Sequence, residues 1–299
     1  MIRLRVPAST TNLGCGFDCL GVALDLCLDL EARPADANTT EHRGELAGRD
    51  YSGGDLLWIG FEAAARKAGV EAPPLAVTVD SAIPVARGLG SSGAALIAGI
   101  LLYEQATGVT FTPGERTELA ARVEGHPDNA GASAFGRCLL TVPCEQGWRW
   151  LPRPLHSDLA FAVAWPDHES PTTSMRACLP DRVAHADAVA QSPRLAGLLE
   201  GLATLDAELI EAGMVDCLHE PHRASLSPGY TQARDAARDT GVLGATLSGS
   251  GSTVVAICAG ADSAQGAARA MAQAFRDEGF TATSATPAVA GPAAPVPTH

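Results

Sequence analysis

Apolar and polar residues alternate over the first thirty positions of the chain. "IRLRVP" (residues 2–7) reads as one strand and "GVALDLCLDLEAR" (21–33) as a second, longer one. Between them, "ASTTNLGCGFDCL" is rich in Gly, Thr and Asn and predicts a loop. "DLLWIGFEAAARKAG" has apolar residues at helical spacing, with Asp55 as N-cap and Gly69 as the stop. "LAVTVDSAI" (75–83) is a strand, and "SSGAALIAGILLYEQATG" (91–108) is an apolar helix ending at Gly108. "TPGERTELAARVEG" (112–125) is a further helix, capped by Thr112 with Pro113 at its first position. Pro127 and the glycines of "EGHPDNAGASAFG" then force a loop or a restart.

The pattern shifts near "PCEQGWRWLPRPLHSD" (143–158), which places a domain boundary there and divides the chain into 1–150 and 151–285. The second half holds a strand, "LAFAVAW", then helical stretches to about residue 240. A strand pair around "GATLSGSGSTVVAICAG" and a helix, "SAQGAARAMAQAFRDEG", follow. Residues 286–299 are rich in Pro and Ala and predict a disordered tail. Strands and helices mix without strict alternation, which favours an α+β fold over a doubly wound sheet.

Composition narrows the function classes. The 299 residues suffice for two domains sharing a cleft, and 46% apolar with 18% charged residues suits a soluble globular protein. No apolar run has the length of a membrane span, and the N-terminus lacks the apolar stretch of a signal peptide, so a cytosolic protein without a membrane partner is expected. The net charge is −13 and no Lys/Arg cluster occurs, which argues against a nucleic-acid partner. Eight cysteines form no C-x-x-C and read as reduced, mostly core residues. Lys67 is the only lysine.

Gly88-Leu89-Gly90-Ser91-Ser92-Gly93 has the literal form G-x-G-x-x-G. A dinucleotide site needs that loop directly after a buried strand, and an acid about 20 residues on at a strand end. Here "PVAR" intervenes, and the acid at that distance, Glu115, opens a helix. A Walker A loop needs a lysine, and none is present. Two readings remain: a phosphate cradle built from small residues, serine hydroxyls and a helix N-terminus, or a tight helix-entry turn packed on a sheet.

The segment "PVARGLGSSGA" resembles the P-x-x-x-G-L-G-S-S-A-A phosphate loop of the GHMP kinase superfamily, with Gly93 in place of an Ala. Other blocks are similar to the homoserine kinases of that superfamily. They are "VPASTTNLGCGFDCLGVALDL" (6–26), "EGHPDNA" (124–130), "TTSMRACLP" (172–180), "DCLHEPHR" (216–223) and the "GATLSGSGSTVVAI" turn. The resemblance implies a two-domain α+β fold with the phosphate loop at 84–95 and a ferredoxin-like second domain. Nucleotide and substrate would lie in the interdomain cleft. It further implies an ATP- and Mg²⁺-dependent kinase that phosphorylates the side-chain hydroxyl of L-homoserine in threonine biosynthesis. A homodimer is a family-level expectation.

Site residues follow from the matched blocks. The resemblance gives Arg176 and Arg223 the substrate carboxylate, a task suited to guanidinium; read alone, they are two arginines in ion pairs. It gives Asn12 and Asp18 the substrate amino group, where the bare sequence reads two turn residues. Thr172 lies one helical turn before Arg176. The resemblance implies that His126 contacts the substrate and that Asn129 lies near its hydroxyl; Asp128 would cap the next turn or touch ligand. By the same resemblance Pro84, Arg87, Gly88, Leu89, Gly90, Ser91, Ser92 and Gly93 are expected to surround the nucleotide, with Asp55 bordering it. Glu124 sits at a helix C-terminus, against the dipole, and with Ser91 or Ser92 is the expected Mg²⁺ site. No general base is evident, so Asn129 is expected to orient the hydroxyl, with Asp18 the alternative as base. Cys15, Asp55, Ser250 and Ser252 depart from the family pattern, leaving room for another amino-acid alcohol as acceptor.

Overall fold

The structure, a computed structural model, describes residues 1–297. β1 (Ile2–Asn12) and β2 (Gly16–Pro34) form a long antiparallel pair. Only residues 13–15 turn between them, so most of the segment expected as a loop is strand. Burial explains the difference. Ala8 to Asn12 are all buried, and the hydroxyls of Ser9 and Thr10 bond Asn129 and Ser248 across the molecule. A polar stretch reads as a loop when it faces water; this one faces other polar groups inside.

β3 (Thr39–Gly44), which the pattern did not reveal, lies parallel to β4 (Leu75–Ser81), and α1 (Leu56–Ala68) connects them. α1, α2 (Ser91–Thr107) and α3 (Pro113–Glu124) begin and end where their caps predict. The Asp55 carboxylate accepts from the Leu57 N–H, and Thr112 and Glu115 form a reciprocal capping box. After Pro127 the chain restarts as α4 (Asp128–Phe135). A hairpin of β5 (Cys138–Cys144) and β6 (Gly147–Arg153) hangs on β2, so the first sheet extends to Arg153.

The rest of the chain comprises β7 (Leu159–Pro166), α5 (Thr172–Ala177), α6 (His185–Thr204), α7 (Ala207–Gly213), α8 (Glu220–Arg223), α9 (Tyr230–Asp239), β8 (Gly244–Leu247), β9 (Val254–Ala259), α10 (Ala261–Asp277) and β10 (Ala282–Ala285). Its four strands form a second sheet, antiparallel throughout, in the order β10-β7-β9-β8. β7 is a continuous apolar run because both of its faces are covered. Phe161 and Val163 join the core shared with the first sheet, and Ala162 and Ala164 pack with α9 and α10.

The tail corrects an expectation. Residues 286–297 are not a loose end. They lie along the first sheet, where β11 (Ala294–Pro295) pairs with β1. Backbone bonds run from Asp25 N–H to the Ala288 carbonyl, Ala290 N–H to Ala23, and Val296 N–H to Arg3. Pro and Ala suit such an edge, since Pro needs no ladder partner and Ala293 is buried. Residues 298 and 299, part of the predicted tail, lie outside the described residues. All eight cysteines are free, but only Cys15, Cys138 and Cys258 are buried, fewer than their apolar settings suggested.

Truncation after Ala285 unpairs these backbone groups. It is expected to lower stability by about 2 kcal/mol or more, read as a fall in the urea midpoint. An unchanged midpoint would show that the tail adds nothing to the sheet.

Candidate functional site

A cavity of about 740 Å³ is lined by residues from both halves of the chain. Its walls come from the end of β1, the Gly-rich loop, the starts of α2 and α4, and α5, α8 and the β8–β9 turn.

Pro84, Gly88, Gly90, Ser91 and Ser92 face this cavity. β4 ends at Ser81 and Glu115 caps α3, so neither requirement of a dinucleotide site is met. Gly90 is the N-cap of α2 and offers no side-chain cap. The first bond inside the helix is from Ala94 N–H to the Gly90 carbonyl, so the preceding N–H groups remain as donors at a helix N-terminus. Three expected loop residues do other work. Leu89 is fully buried. Arg87 turns away and donates to the carbonyls of Val85, Pro166 and Asp167. Gly93 is where α2 meets α4, and a Cβ there would lie 2.9 Å from the Ala130 nitrogen. The missing methyl is therefore a packing feature rather than a neutral change.

Glu124 ends α3 beside the loop. Its Oε1 accepts from the Ser92 hydroxyl, and its Oε2 is buried without a partner. Burial pushes its carboxyl above the ordinary range, against the pull of His126 and Ser92. A buried carboxylate with one unsatisfied oxygen and a hydroxyl alongside is a hard-oxygen donor set, which fits Mg²⁺.

His126 and Asp128 form a buried pair, Nδ1 to Oδ1 at 2.7 Å. Burial alone would lower the His126 pKa, but the Asp128 carboxylate outweighs it and holds the imidazole above its usual value. Asp128 is held below the usual carboxylate range despite its burial, chiefly by His126. It thus orients His126 as well as opening α4. The Asn129 Oδ1 accepts from the Ser9 hydroxyl at 3.0 Å.

A further set of lining residues is charged. Asn12 and Asp18 both have positive φ, 72° and 55°. Asn12 locks that turn: its Nδ2 donates to the Gly249 carbonyl and its Oδ1 accepts from the Asp18 N–H. Both polar atoms of the side chain are therefore engaged with backbone. Asp18 faces the cavity in a bidentate pair with Arg176, at 2.7 and 3.0 Å. Arg223 is buried and donates to the Met175 and Gly249 carbonyls. Burial and then the like charge of Arg176 disfavour its charged form. Both guanidinium groups lie over the Phe17 ring, at 5.9 and 5.2 Å from its centroid. Two guanidinium groups thus line the cavity around one aromatic ring, Arg176 paired with the Asp18 carboxylate and Arg223 bonded to backbone carbonyls. Thr172, at the start of α5, lies 3.4 Å from the Ser250 hydroxyl.

At the far end Asp55 both caps α1 and bonds His42 Nε2 at 3.0 Å, and His42 stacks on Tyr51. Ser9, Phe17, His42 and Tyr51 were not singled out in the sequence. Ser9 and Phe17 stand inside the quoted N-terminal block; His42 and Tyr51 carried no signal, because the β3 strand that places them was not legible.

Models of the GHMP kinases N terminal domain and the GHMP kinases C terminal region match residues 55–137 and 198–277. The chain is 40% identical over 257 residues to a homoserine kinase of Thermus thermophilus, covering 85% of this chain and 86% of that one. It is 38% identical over 256 residues to the homoserine kinase of Thermosynechococcus vestitus, covering 85% of each. The solved homoserine kinase of Cytophaga hutchinsonii superposes with a TM-score of 0.88 at 27% identity, over 99% of this chain and 97% of that one. Phosphomevalonate kinase of Streptococcus pneumoniae, 14% identical, shares the fold with a TM-score of 0.71 over 96% of this chain and 99% of that one.

Glu124 gives a pH-dependent test. A carboxyl whose pKa rises on folding contributes stability below its unfolded value, 4.5, and loses it as the pH climbs through the folded value. Glu124→Gln cannot ionise, so its thermal midpoint should exceed the parent's at pH 8, the gap closing toward pH 4. A gap that stays constant with pH would contradict the assignment.

Proposed function

The chain belongs to the homoserine kinases of the GHMP superfamily, and we propose that its cleft transfers the γ-phosphate of Mg²⁺-bound ATP to the side-chain hydroxyl of L-homoserine. The observation that carries this reading is the meeting of two features in one cavity: open helix N–H donors at the start of α2, and the group of Arg176, Arg223 and Asp18. The first suits phosphate oxygens. The second suits a zwitterion, with guanidinium for its carboxylate and a carboxylate for its ammonium.

The residues divide the work as follows. The N–H groups of Ser91, Ser92 and Gly93 receive the phosphates. Glu124 and the serine hydroxyls would hold Mg²⁺, which neutralises charge on the transferring phosphate. Arg176 and Arg223 fix the carboxylate, Asp18 the ammonium. Asn12 shapes the turn that presents Asp18. Asn129, oriented by Ser9, positions the hydroxyl, and His126, held by Asp128, closes the same side. In the transfer the hydroxyl oxygen bonds the γ-phosphorus, the bond from phosphorus to the bridging oxygen breaks, ADP leaves with that electron pair, and the hydroxyl proton passes by way of a phosphoryl oxygen to solvent. Asp18 directs both oxygens at Arg176, which suits a counter-charge better than a base. The loose transition state of phosphoryl transfer asks for little proton abstraction, so positioning and charge stabilisation supply most of the acceleration.

A coupled ADP-release assay across L-homoserine, serine, threonine and 3-aminopropanol tests the acceptor. Homoserine should be preferred, and the amino alcohol without a carboxylate should react poorly. Arg176→Ala and Arg223→Ala should each raise KM for homoserine about 30-fold or more, since each truncation removes a guanidinium partner of the acceptor carboxylate. Asn129→Ala should lower kcat about 100-fold. Equal rates with and without the acceptor carboxylate would overturn the arginine assignment.

A further inference from the structure

Arg87 falls within the phosphate-loop block but is directed away from the cavity. Its side chain is 13% exposed, and its guanidinium meets residues 166–169, the segment leaving β7. Nε donates to the Pro166 carbonyl at 2.9 Å, one terminal nitrogen to Asp167 at 2.7 Å, and the other to its own loop at Val85, 2.9 Å. That third nitrogen also lies 3.4 Å from Glu169 Oε1. The same Glu169 oxygen accepts from both terminal nitrogens of Arg49, at 3.1 and 2.5 Å, on the loop between β3 and α1.

The backbone repeats the connection. Ser170 N–H donates to the Ala86 carbonyl at 2.8 Å, and Ser252 Oγ donates to the His168 carbonyl at 2.7 Å. Two residues after Ser170, α5 begins, and it carries Thr172 and Arg176. The strap 166–171 is thus bonded at one end to the Gly-rich loop and continues at the other into the helix that pairs with Asp18. The Ser170–Ala86 bond lies two residues before α5, so the Gly-rich loop and the start of the acceptor helix share a direct backbone contact.

We propose that Glu169, with Arg87 and Arg49, is a positioning device that couples the phosphate loop to the acceptor helix, so that occupancy of the nucleotide side strengthens acceptor binding and the converse. This rests on the phosphate and acceptor assignments above. Coupling between two sites is reciprocal, and a typical device of this kind shifts affinity about tenfold. Glu169 is half exposed, so its loss alters the link rather than the fold.

Isothermal titration calorimetry of L-homoserine, without and with saturating non-hydrolysable ATP analogue and Mg²⁺, measures the coupling as a ratio of two Kd values. The parent chain should show about tenfold tightening. Glu169→Gln should reduce the ratio to near unity while each ligand alone binds within about threefold of the parent. Arg49→Gln, which leaves the Arg87 contact, should retain part of the ratio. A parent ratio of one, or a full ratio in Glu169→Gln, overturns the proposal. A folded chain that binds the analogue but no homoserine in either state overturns the acceptor reading instead, and the coupling with it.

Discussion

Gly88 packs against the β8–β9 turn so closely that a Cβ on it would lie 2.1 Å from the Ser248 carbonyl oxygen. Everything at the cavity depends on that backbone contact between the two sheets. Ser248 fastens it from the other direction, its hydroxyl donating to the Gly88 carbonyl and sharing a bond with Thr10. Gly249 then donates to the Thr11 carbonyl and accepts from Asn12 and Arg223. One junction therefore sets the phosphate loop, the end of β1 and the buried arginine in register. The φ of Gly88 is 78°, so close approach and backbone conformation both call for glycine.

Around that junction, charge is arranged at some cost to the fold. Glu124 keeps a buried oxygen unpaired, and Arg223 is buried near a second guanidinium. Each is unfavourable alone, and each becomes favourable when a counter-ion arrives: a cation for the carboxylate, an anion for the guanidinium groups. Such local conflict, set in an otherwise well-capped and well-packed chain, is expected where binding rather than folding sets the choice of residue.

Much of this was legible in the sequence. Local chemistry predicted the first three helices, because Asp55, Thr112 and the terminal glycines fix helix ends regardless of what lies beyond. The matched blocks carried Arg176, Arg223, Asp18 and Asn129 to one cavity from four distant stretches. The misses share a physical cause. β1 continues through Ser9–Asn12 because distant hydroxyls and carbonyls satisfy it, and the tail docks because β1 leaves an edge open. Arg87 belongs to the loop by sequence and to the strap by contact, since only the folded chain shows which carbonyls surround it. Pattern reading sees one segment at a time, whereas these features depend on partners about eighty to well over two hundred residues away, or on a sheet edge.

The proposed reaction is a phosphoryl transfer to the side-chain oxygen of an acceptor held by its amino-acid head group. Phosphorus-31 NMR of the products tests that most directly, with ATP, Mg²⁺ and L-homoserine as reactants. It should show one phosphomonoester resonance coupled to side-chain methylene protons, growing in step with ADP and absent without homoserine. ADP formed at the same rate without the acceptor, or phosphate carried elsewhere than on the side-chain oxygen, would contradict it.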